Sequence, residues 1–189
     1  MMRDMFFGSL DEQAWTPVRG WRADEAGVGR EMAAVLTVTS SLTRFLERHH
    51  GMRLTVRLHD QFIDHARADE SALLGCGARD TVLRRRVSLL HRDAIMFDAE
   101  SVLPLADLPA ELMAQLQEGV RPLGNLLLDR GLSLSRSDLS VARLQTGDVF
   151  DGRWARRSVL RSPSGTRALV VEVFHPELWR RIASRARRY

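Results

Sequence analysis

A strand near the C-terminus, residues 168–174, is apolar on both of its faces except for one carboxylate, Glu172. Successive side chains of a strand point to opposite faces, so this pattern predicts that protein covers both faces of the sheet here. A carboxylate in such a place loses hydration and needs a cationic partner, a raised pKa or a bound ligand. Glu172 is therefore the first candidate for a functional site, and we expect burial to raise its pKa.

The order of the other predicted elements favours an α+β fold in one domain. Strands follow one another through short connections, which is typical of antiparallel pairing, and a helical segment separates two predicted hairpins. We therefore expect an antiparallel sheet with its helices gathered on one side. Ser40 or Ser41 is predicted to begin the second helix and Gly51 to end it, whereas residues 65–80 are interpreted as a polar, glycine-containing connection. The predicted strands are 52–58, 61–63, 81–90, 94–102, 139–144, 154–161 and 168–174, and the predicted helices are 30–36, 42–48, 110–117, 125–129 and 177–189.

Three consecutive arginines, Arg84, Arg85 and Arg86, lie in the strand predicted at 81–90. Strand alternation puts Arg85 on the same face as the apolar residues of this strand, and puts its two neighbours on the other face. A guanidinium on an apolar face needs a carboxylate, which its planar fork can bind through two hydrogen bonds. Arg85 and Glu172 are therefore either a structural ion pair or two parts of one site, and the residues alone leave both open.

Every one of the 28 basic residues is arginine, and the net charge is only +4. Because arginine stays protonated throughout the usual range, the pI of about 10.7 does not indicate a strongly basic surface. A chain without lysine has no candidate for Schiff-base or lysine-base chemistry. The basic segment 177–189 lacks an accompanying aromatic platform or recognition motif, so we expect no nucleic-acid partner.

The compartment and the metal content are also constrained by the sequence. One cysteine, Cys76, excludes an internal disulfide framework and suits the cytoplasm, and no segment reads as a signal peptide or a membrane span. The histidines at positions 49, 50, 59 and 65 match no metal-ligand spacing. We expect a cytoplasmic protein without a metal site and without membrane insertion.

Four short motifs give the chain a family resemblance, through their order and spacing rather than through any one of them. They are Ser41-Leu42-Thr43-Arg44; Val82-Leu83-Arg84-Arg85 followed by Ala99-Glu100-Ser101-Val102-Leu103-Pro104; Pro122-Leu123-Gly124; and Trp154-Ala155-Arg156-Arg157-Ser158 with Val171-Glu172-Val173-Phe174-His175-Pro176. In these motifs the chain resembles the chorismate lyase (chorismate pyruvate-lyase) family, from about residue 37 to residue 176. The resemblance implies a six-stranded antiparallel sheet with helical flaps around a small, water-poor cavity.

The resemblance also implies roles for particular residues. Arg85 would bind the ring carboxylate of chorismate and of the product 4-hydroxybenzoate, and Glu172 would face the ring hydroxyl at the other end. The backbone amides of Leu42 and Leu123 would complete the carboxylate site, with their side chains covering the ring, and Gly124 belongs to the same substrate-binding motif. The implied reaction eliminates pyruvate from chorismate, is driven by aromatisation and requires no metal or organic cofactor.

One position departs from the family pattern. Members from the ubiquinone pathway often carry an arginine where this chain has Glu100. The change puts in doubt how the enolpyruvyl carboxylate is oriented, and whether 4-hydroxybenzoate or 3-hydroxybenzoate is released. Arg156 or Arg157 is the candidate for a replacement charge, and Arg157 is included among the predicted substrate-binding residues.

The resemblance divides the chain into an N-terminal extension with the first helix (1–36), a chorismate lyase-like domain (37–176) and a basic C-terminal helix (177–189). The main alternative is a non-catalytic domain that binds small aromatic acids, as in the ligand-sensing domains of one group of bacterial transcription regulators. Those usually follow a DNA-binding domain, and the roughly 40 residues before this fold are too few for one. The joint presence of Arg85 and Glu172 also favours catalysis. We expect a monomer, because a cavity closed within one chain needs no partner.

Overall fold

The computed structural model describes residues 13–129 and 135–186. Within these ranges the chain forms seven strands and six α-helices. The strands are β1 (Thr16–Pro17), β2 (Thr55–His65), β3 (Thr81–His91), β4 (Ala94–Pro104), β5 (Ser135–Arg143), β6 (Trp154–Arg161) and β7 (Arg167–Phe174). The helices are α1 (Arg30–Thr37), α2 (Leu42–His50), α3 (Ala68–Leu74), α4 (Ala110–Glu118), α5 (Leu123–Asp129) and α6 (Pro176–Ala186).

All seven strands belong to one antiparallel sheet with the order β1-β5-β6-β7-β4-β3-β2. The prediction of a single α+β domain with an antiparallel sheet is confirmed, but the number of six strands is wrong. The additional strand is β1, in which Thr16 and Pro17 pair with Val141 and Ser140 of β5. Two residues are too short to show the alternation that identifies a strand in a sequence. The two strands predicted at 52–58 and 61–63 are one strand, β2, with an irregularity between Leu58 and Asp60.

The face of the sheet that carries Arg85, which we call the cavity face, is covered by two groups of helices. One group is α1, α2 and α6, whose apolar side chains, among them Leu36, Leu46 and Leu178, pack around Phe97 and Phe174 of the sheet. The other is α4 and α5, whose leucines pack on side chains of β3, β4, β6 and β7. The cavity described below lies between these two clusters.

Helix α3 covers the opposite face, so the prediction that all helices gather on one side is wrong. Leu74 of α3 packs with Val82, Val102 and Leu169, which alternate with the residues of the cavity face. The helix lies within the segment interpreted as a polar connection, and its apolar face is too short to produce a clear helical period. Its buried Glu70 accepts a hydrogen bond from the backbone N–H of Arg67 at the start of the helix.

The ends of α2 follow from two side chains. Ser41 is the N-cap, and its hydroxyl accepts a hydrogen bond from the backbone N–H of Arg44. Gly51 ends the helix in the left-handed conformation, with φ of 60°, which glycine adopts without steric penalty. The prediction for this helix is confirmed at both ends, and its first residue, Leu42, is thereby held at the edge of the cavity.

Two tryptophans attach the N-terminal segment to the sheet. The ring of Trp21 lies edge-on to that of Trp154, with a centroid distance of 5.7 Å. Trp15 packs against the Arg157 guanidinium, which lies 4.8 Å from the centre of its ring.

Within the described ranges, no helix has the length and apolar character that crossing a bilayer requires.

Candidate active site

A largely apolar cavity opens on the cavity face between the N-terminal ends of α2 and α5. Side chains of β3, β4, β6 and β7 form its floor, and the segments 39–43 and 122–124 border it from above. Its ionisable lining residues, within the part of the chain that the structure describes, are Arg85, Arg136 and Glu172. An apolar space with a few charged groups is the usual form of a small-molecule site.

Five of the six residues predicted for the site line this cavity, and they come from four different elements. They are Arg85, Glu172, Leu42, Leu123 and Gly124. Arg85 and Glu172 lie on β3 and β7, with only β4 between them in the sheet. At the usual strand spacing this separates their backbones by about 10 Å, so that side chains converging from both can meet the two ends of one aromatic ring.

Glu172 is buried and bound by Arg156, its direct partner on the adjacent strand β6. The Nε of Arg156 donates to Oε2 of Glu172, and its Nη2 donates to Oε1 at 3.3 Å. Burial acts to raise the pKa of Glu172, but the charges of Arg156 and Arg136 outweigh it, and the pKa lies below the ordinary glutamate value. The prediction of a raised pKa is therefore wrong, because a cation that sequence reasoning did not assign to Glu172 lies against it.

Arg156 also fixes the end of α1 to the sheet. Its Nη1 donates to the carbonyl oxygens of Val35 and Val38 at 3.2 and 3.0 Å. The guanidinium of Arg156 is fully buried, and each of its three nitrogens donates to a carboxylate or carbonyl oxygen. Arg156 therefore holds Glu172 in position rather than presenting free donors to the cavity.

Arg85 is not paired with Glu172, so a structural ion pair between these two residues is wrong. Its side chain is buried, and its Nη2 donates to the backbone carbonyl of Arg121 at 3.2 Å. Its Nε has no hydrogen-bond partner among the described residues. Burial lowers the pKa of Arg85 to about 10, which still leaves it charged at neutral pH. A buried cation bound only to a carbonyl is suited to receive an anionic ligand.

Arg136 on β5 is a cavity residue that sequence reasoning missed. Its Nη1 donates to the hydroxyl of Ser158 at 2.5 Å and lies 3.7 Å from Oε2 of Glu172. Its pKa is lowered to about 10, mainly by burial and then by repulsion from Arg156, with Glu172 opposing the shift. Arg136 lies outside the predicted strand, because β5 starts at Ser135 and the prediction starts at Leu139. Extending the alternation of that strand toward its N-terminus is the signal that could have included it.

Arg157, the sixth predicted site residue, does not line the cavity. It lies on the opposite face of β6, against the Trp15 ring and 3.8 Å from a carboxylate oxygen of Asp69. It shares that face with Ala155 and Val159, which are apolar and buried. Alternation therefore directs Arg157 to an apolar face of the sheet, but to the face opposite the cavity.

Glu100 also points away from the cavity. Its carboxylate accepts hydrogen bonds from Arg86 at 2.6 Å and from Arg84 at 2.7 Å on the opposite face, whereas its neighbours Ala99 and Ser101 line the cavity. Glu100, the residue that departs from the family pattern, is therefore part of an ion-pair network on the face opposite the cavity. The charges that face the cavity are supplied instead from β3, β5 and β7.

The two segments above the cavity are joined by one hydrogen bond. We call them the flaps: residues 39–43 at the start of α2 and residues 122–125 at the start of α5. The hydroxyl of Thr43 donates to the side-chain carbonyl of Asn125 at 3.1 Å and also contacts the hydroxyl of Ser41 at 3.0 Å. Leu42 and Leu123 each begin a helix, where backbone N–H groups have no acceptor within the helix.

The model of the family described as "Chorismate lyase" matches residues 19–184. The chain belongs to the chorismate lyase family. This match extends over most of the sequence and includes every element of the cavity. It also confirms the resemblance that the four motifs indicated.

Curated relatives carry the same family name. The chain is 32% identical over 181 residues to a "Probable chorismate pyruvate-lyase" of Alcanivorax borkumensis, covering 95% of this chain and 79% of the relative. It is 35% identical over 140 residues to a "Probable chorismate pyruvate-lyase" of Chromohalobacter salexigens, covering 71% of this chain and 74% of the relative.

Among solved structures, the similarity concerns the fold. The effector domain of PhnF from Mycobacterium smegmatis matches with a TM-score of 0.56 at 14% identity, covering 73% of this chain and 90% of that chain. The structure of PhnF from the same organism matches with a TM-score of 0.57 at 12% identity, covering 85% of this chain and 91% of that chain. This chain and the two PhnF structures therefore share one fold, and fold alone does not decide function.

Proposed function

We propose that the protein is a chorismate pyruvate-lyase that converts chorismate to pyruvate and 4-hydroxybenzoate. The observation that carries the proposal is that Arg85 and Glu172, a cation and an anion on strands separated by β4, line one apolar cavity in a chain of this family. A ring with a carboxylate at one end and a hydroxyl at the other complements this arrangement. The proposal assigns Arg85 to the carboxylate and Glu172 to the hydroxyl.

The carboxylate end of the proposed site combines a side chain with backbone donors. Arg85 has a buried Nε without a partner among the described residues, and its guanidinium can bind a carboxylate through two parallel hydrogen bonds. In the proposal the amides of Leu42 and Leu123 add donors from the first turns of their helices. The side chains of these two leucines lie over the cavity and provide apolar contact for the ring.

The reaction requires little more than orientation and one proton transfer. The bond between the ring carbon and the enolpyruvyl oxygen breaks, and its electron pair leaves with the enolpyruvate. The ring carbon that bears the hydroxyl loses its hydrogen as a proton, which makes the ring aromatic, and enolpyruvate takes up a proton to give pyruvate. Because the pKa of Glu172 is lowered, this residue is ionised at neutral pH and suits a hydrogen-bond acceptor or a general base rather than an acid.

The cavity also suits a reaction that must exclude water. Thr43 and Asn125 join the flaps above it, and the floor is made of buried strand residues. A dry site strengthens every electrostatic interaction with the substrate and holds the enolpyruvyl group in a reactive orientation. The same closure would retain the product, so we propose slow release of 4-hydroxybenzoate and product inhibition.

The test is incubation of the purified protein with chorismate, without added metal or cofactor, followed by chromatography of the products. Release of pyruvate and 4-hydroxybenzoate in equal amounts, faster than the spontaneous breakdown of chorismate, is the expected result. Pyruvate with 3-hydroxybenzoate would overturn the product assignment and retain a lyase. Intact chorismate with measurable binding of 4-hydroxybenzoate would overturn catalysis and favour a non-catalytic aromatic acid-binding domain.

The setting of the activity is part of the same proposal. We propose a cytoplasmic monomer that works without a metal or organic cofactor and whose product enters ubiquinone or specialised metabolite biosynthesis. Sedimentation of the protein with and without 4-hydroxybenzoate tests the monomer. A stable dimer with a residue of the second copy in the cavity would contradict it.

A further inference from the structure

The cavity carries more positive than negative charge. Three guanidiniums belong to it, those of Arg85 and Arg136 in the lining and that of Arg156 bound behind Glu172. Against them stands the single carboxylate of Glu172, which leaves two positive charges without a counterpart among the described lining residues. Charges taken out of water need a compensating charge, so the space between these groups favours a ligand with two negative charges.

Two buried donors point to the same conclusion. The Nε of Arg136 and the Nε of Arg85 each lack a hydrogen-bond partner in the described part of the chain. Both side chains are almost fully buried, that of Arg136 with 5% of its side-chain surface exposed. Buried donors are normally satisfied, so two cavity-lining arginines that each keep an unsatisfied donor have the capacity to bind an anion.

The two arginines reach the cavity from strands β5 and β3, which are separated by three other strands of the sheet. Arg136 is 3.7 Å from Glu172, whereas Arg85 is on β3, beyond β4 in the sheet order. In chorismate the hydroxyl and the enolpyruvyl ether are on adjacent ring carbons, and the ring carboxylate is at the other end. A substrate whose hydroxyl faces Glu172 therefore carries its second carboxylate toward the Arg136 end.

We propose that Arg136 binds the carboxylate of the enolpyruvyl group and makes the site selective for an aromatic or cyclohexadiene acid with two carboxylates. This inference rests on the proposed function, because it uses the orientation in which Glu172 meets the hydroxyl. In this orientation the ether oxygen, which gains negative charge as the bond breaks, is on the Arg136 side of the ring. Arg136 therefore stabilises the departing enolpyruvate as well as the bound substrate.

The experiment compares two ligands that the protein cannot convert. 4-Hydroxybenzoate has one carboxylate, and 3-(carboxymethoxy)-4-hydroxybenzoate adds a second where the enolpyruvyl group would be. Arg136→Gln should weaken binding of the dicarboxylate by about 10- to 100-fold, the usual effect of losing a hydrogen bond to a charged group, and leave 4-hydroxybenzoate nearly unaffected. Arg157→Gln, on the opposite face of the neighbouring strand, is the matched control and should change neither affinity.

A structural role for Arg136 would weaken both ligands equally, and that outcome would overturn the inference. Wild-type protein gives a second measurement, in case Arg136→Gln does not fold. The ester formed at the carboxymethoxy group of 3-(carboxymethoxy)-4-hydroxybenzoate should bind at least about 10-fold more weakly than the free dicarboxylate. An unchanged affinity would also overturn the inference.

The proposed function and the inference fail in distinguishable ways. Turnover of chorismate with equal loss of both ligands would overturn only the inference. A selective loss of the dicarboxylate in a protein that does not convert chorismate would overturn only the lyase activity. Failure of the wild-type protein to bind either ligand would overturn both.

Discussion

Arg156 and Glu172 face each other directly across β6 and β7, and the guanidinium donates to both oxygens of the carboxylate. This pairing, rather than burial, sets the charge of Glu172. Burial alone would favour the protonated acid, but with Arg156 in contact and Arg136 nearby the ionised form is favoured. The proposed site thus offers its ligand a fixed negative charge held between two positive ones.

The first prediction concerns the pH dependence of stability. Because the pKa of Glu172 is lowered on folding, its ionised form stabilises the native state at pH values above its ordinary pKa of 4.5. That stabilisation is lost as the pH falls through the lowered, folded-state pKa. Urea unfolding between pH 3 and pH 7 should show a difference between wild type and Glu172→Gln that is constant near neutral pH and shrinks in acid.

An exposed glutamate gives the control for that measurement. Glu47 forms an ion pair with Arg53 in which both side chains are largely exposed, so Glu47→Gln should change the free energy of unfolding little at any pH. If the difference between wild type and Glu172→Gln instead grew as the pH fell, Glu172 would be protonated in the folded protein.

The second prediction separates the proposed catalytic role of Glu172 from its structural one. Glu172→Gln removes the negative charge beside Arg156 and should reduce kcat by about 100-fold or more, the range found for acid–base groups. Glu100→Gln is the matched control, since Glu100 is equally buried and bound to arginines but lies on the opposite face. Both variants should lose about 3 kcal/mol of stability, and only Glu172→Gln should lose turnover.

The third prediction is that Arg85→Ala abolishes binding of 4-hydroxybenzoate. Removing one partner of a buried charged pair should reduce affinity by about 100-fold or more, measurable by calorimetry. Wild-type-like affinity in a folded Arg85→Ala protein would remove Arg85 from the site.

The neighbouring arginine gives a contrasting effect on stability. Arg84 donates to Glu70, Glu100 and Asp64, so Arg84→Met leaves the buried Glu70 carboxylate without the guanidinium that binds it and should destabilise the protein by about 3–5 kcal/mol. Among the described residues Arg85 donates to a single carbonyl, so Arg85→Met should be neutral or stabilise the fold by about 1 kcal/mol. Denaturant unfolding of the two variants compares them directly, and equal losses would contradict the assignment of Arg85 to ligand binding.

The fourth prediction concerns the hydrogen bond between the flaps. Thr43→Val keeps the shape of the side chain but removes the donor to Asn125. One hydrogen bond contributes about 1 kcal/mol, so dissociation of 4-hydroxybenzoate should become about five times faster, as measured by stopped-flow fluorescence. Thr37→Val is the control, because the Thr37 hydroxyl donates to the carbonyl of Ala33 within α1 and is outside the cavity. Equal rates in all three proteins would show that this bond does not limit release.

The elements that sequence reasoning predicted correctly have strong local signals. Helix α2 has a serine cap and a terminal glycine, and β3, β4, β6 and β7 have long alternating or apolar patterns. Alternation places Arg85 on the apolar face of its own strand, whereas its place in one cavity with Glu172 is what the family resemblance implies. These local signals need no information about distant segments.

The features that were missed depend on distant partners. Helix α3 is stabilised by burying Glu70 against Arg84, 14 residues away, and β1 is formed by pairing with β5. The pKa of Glu172 depends on strand register, which places Arg156 opposite it. Because both faces of this sheet are covered, alternation does not tell which face of β6 borders the cavity, and the prediction of Arg157 rather than Arg156 is wrong for this reason.

The two flaps border the cavity from above, and the helices that follow them lead to strands in different parts of the sheet. The first precedes β2 at one edge, and the second precedes β5 near the other. Parting them therefore requires no strand to separate from its neighbour, and the groups proposed to act on the ligand stay fixed while the entrance opens. The lifetime of a bound molecule can then change through substitutions in the flaps alone. In a protein built this way, residence time and chemistry are free to evolve separately.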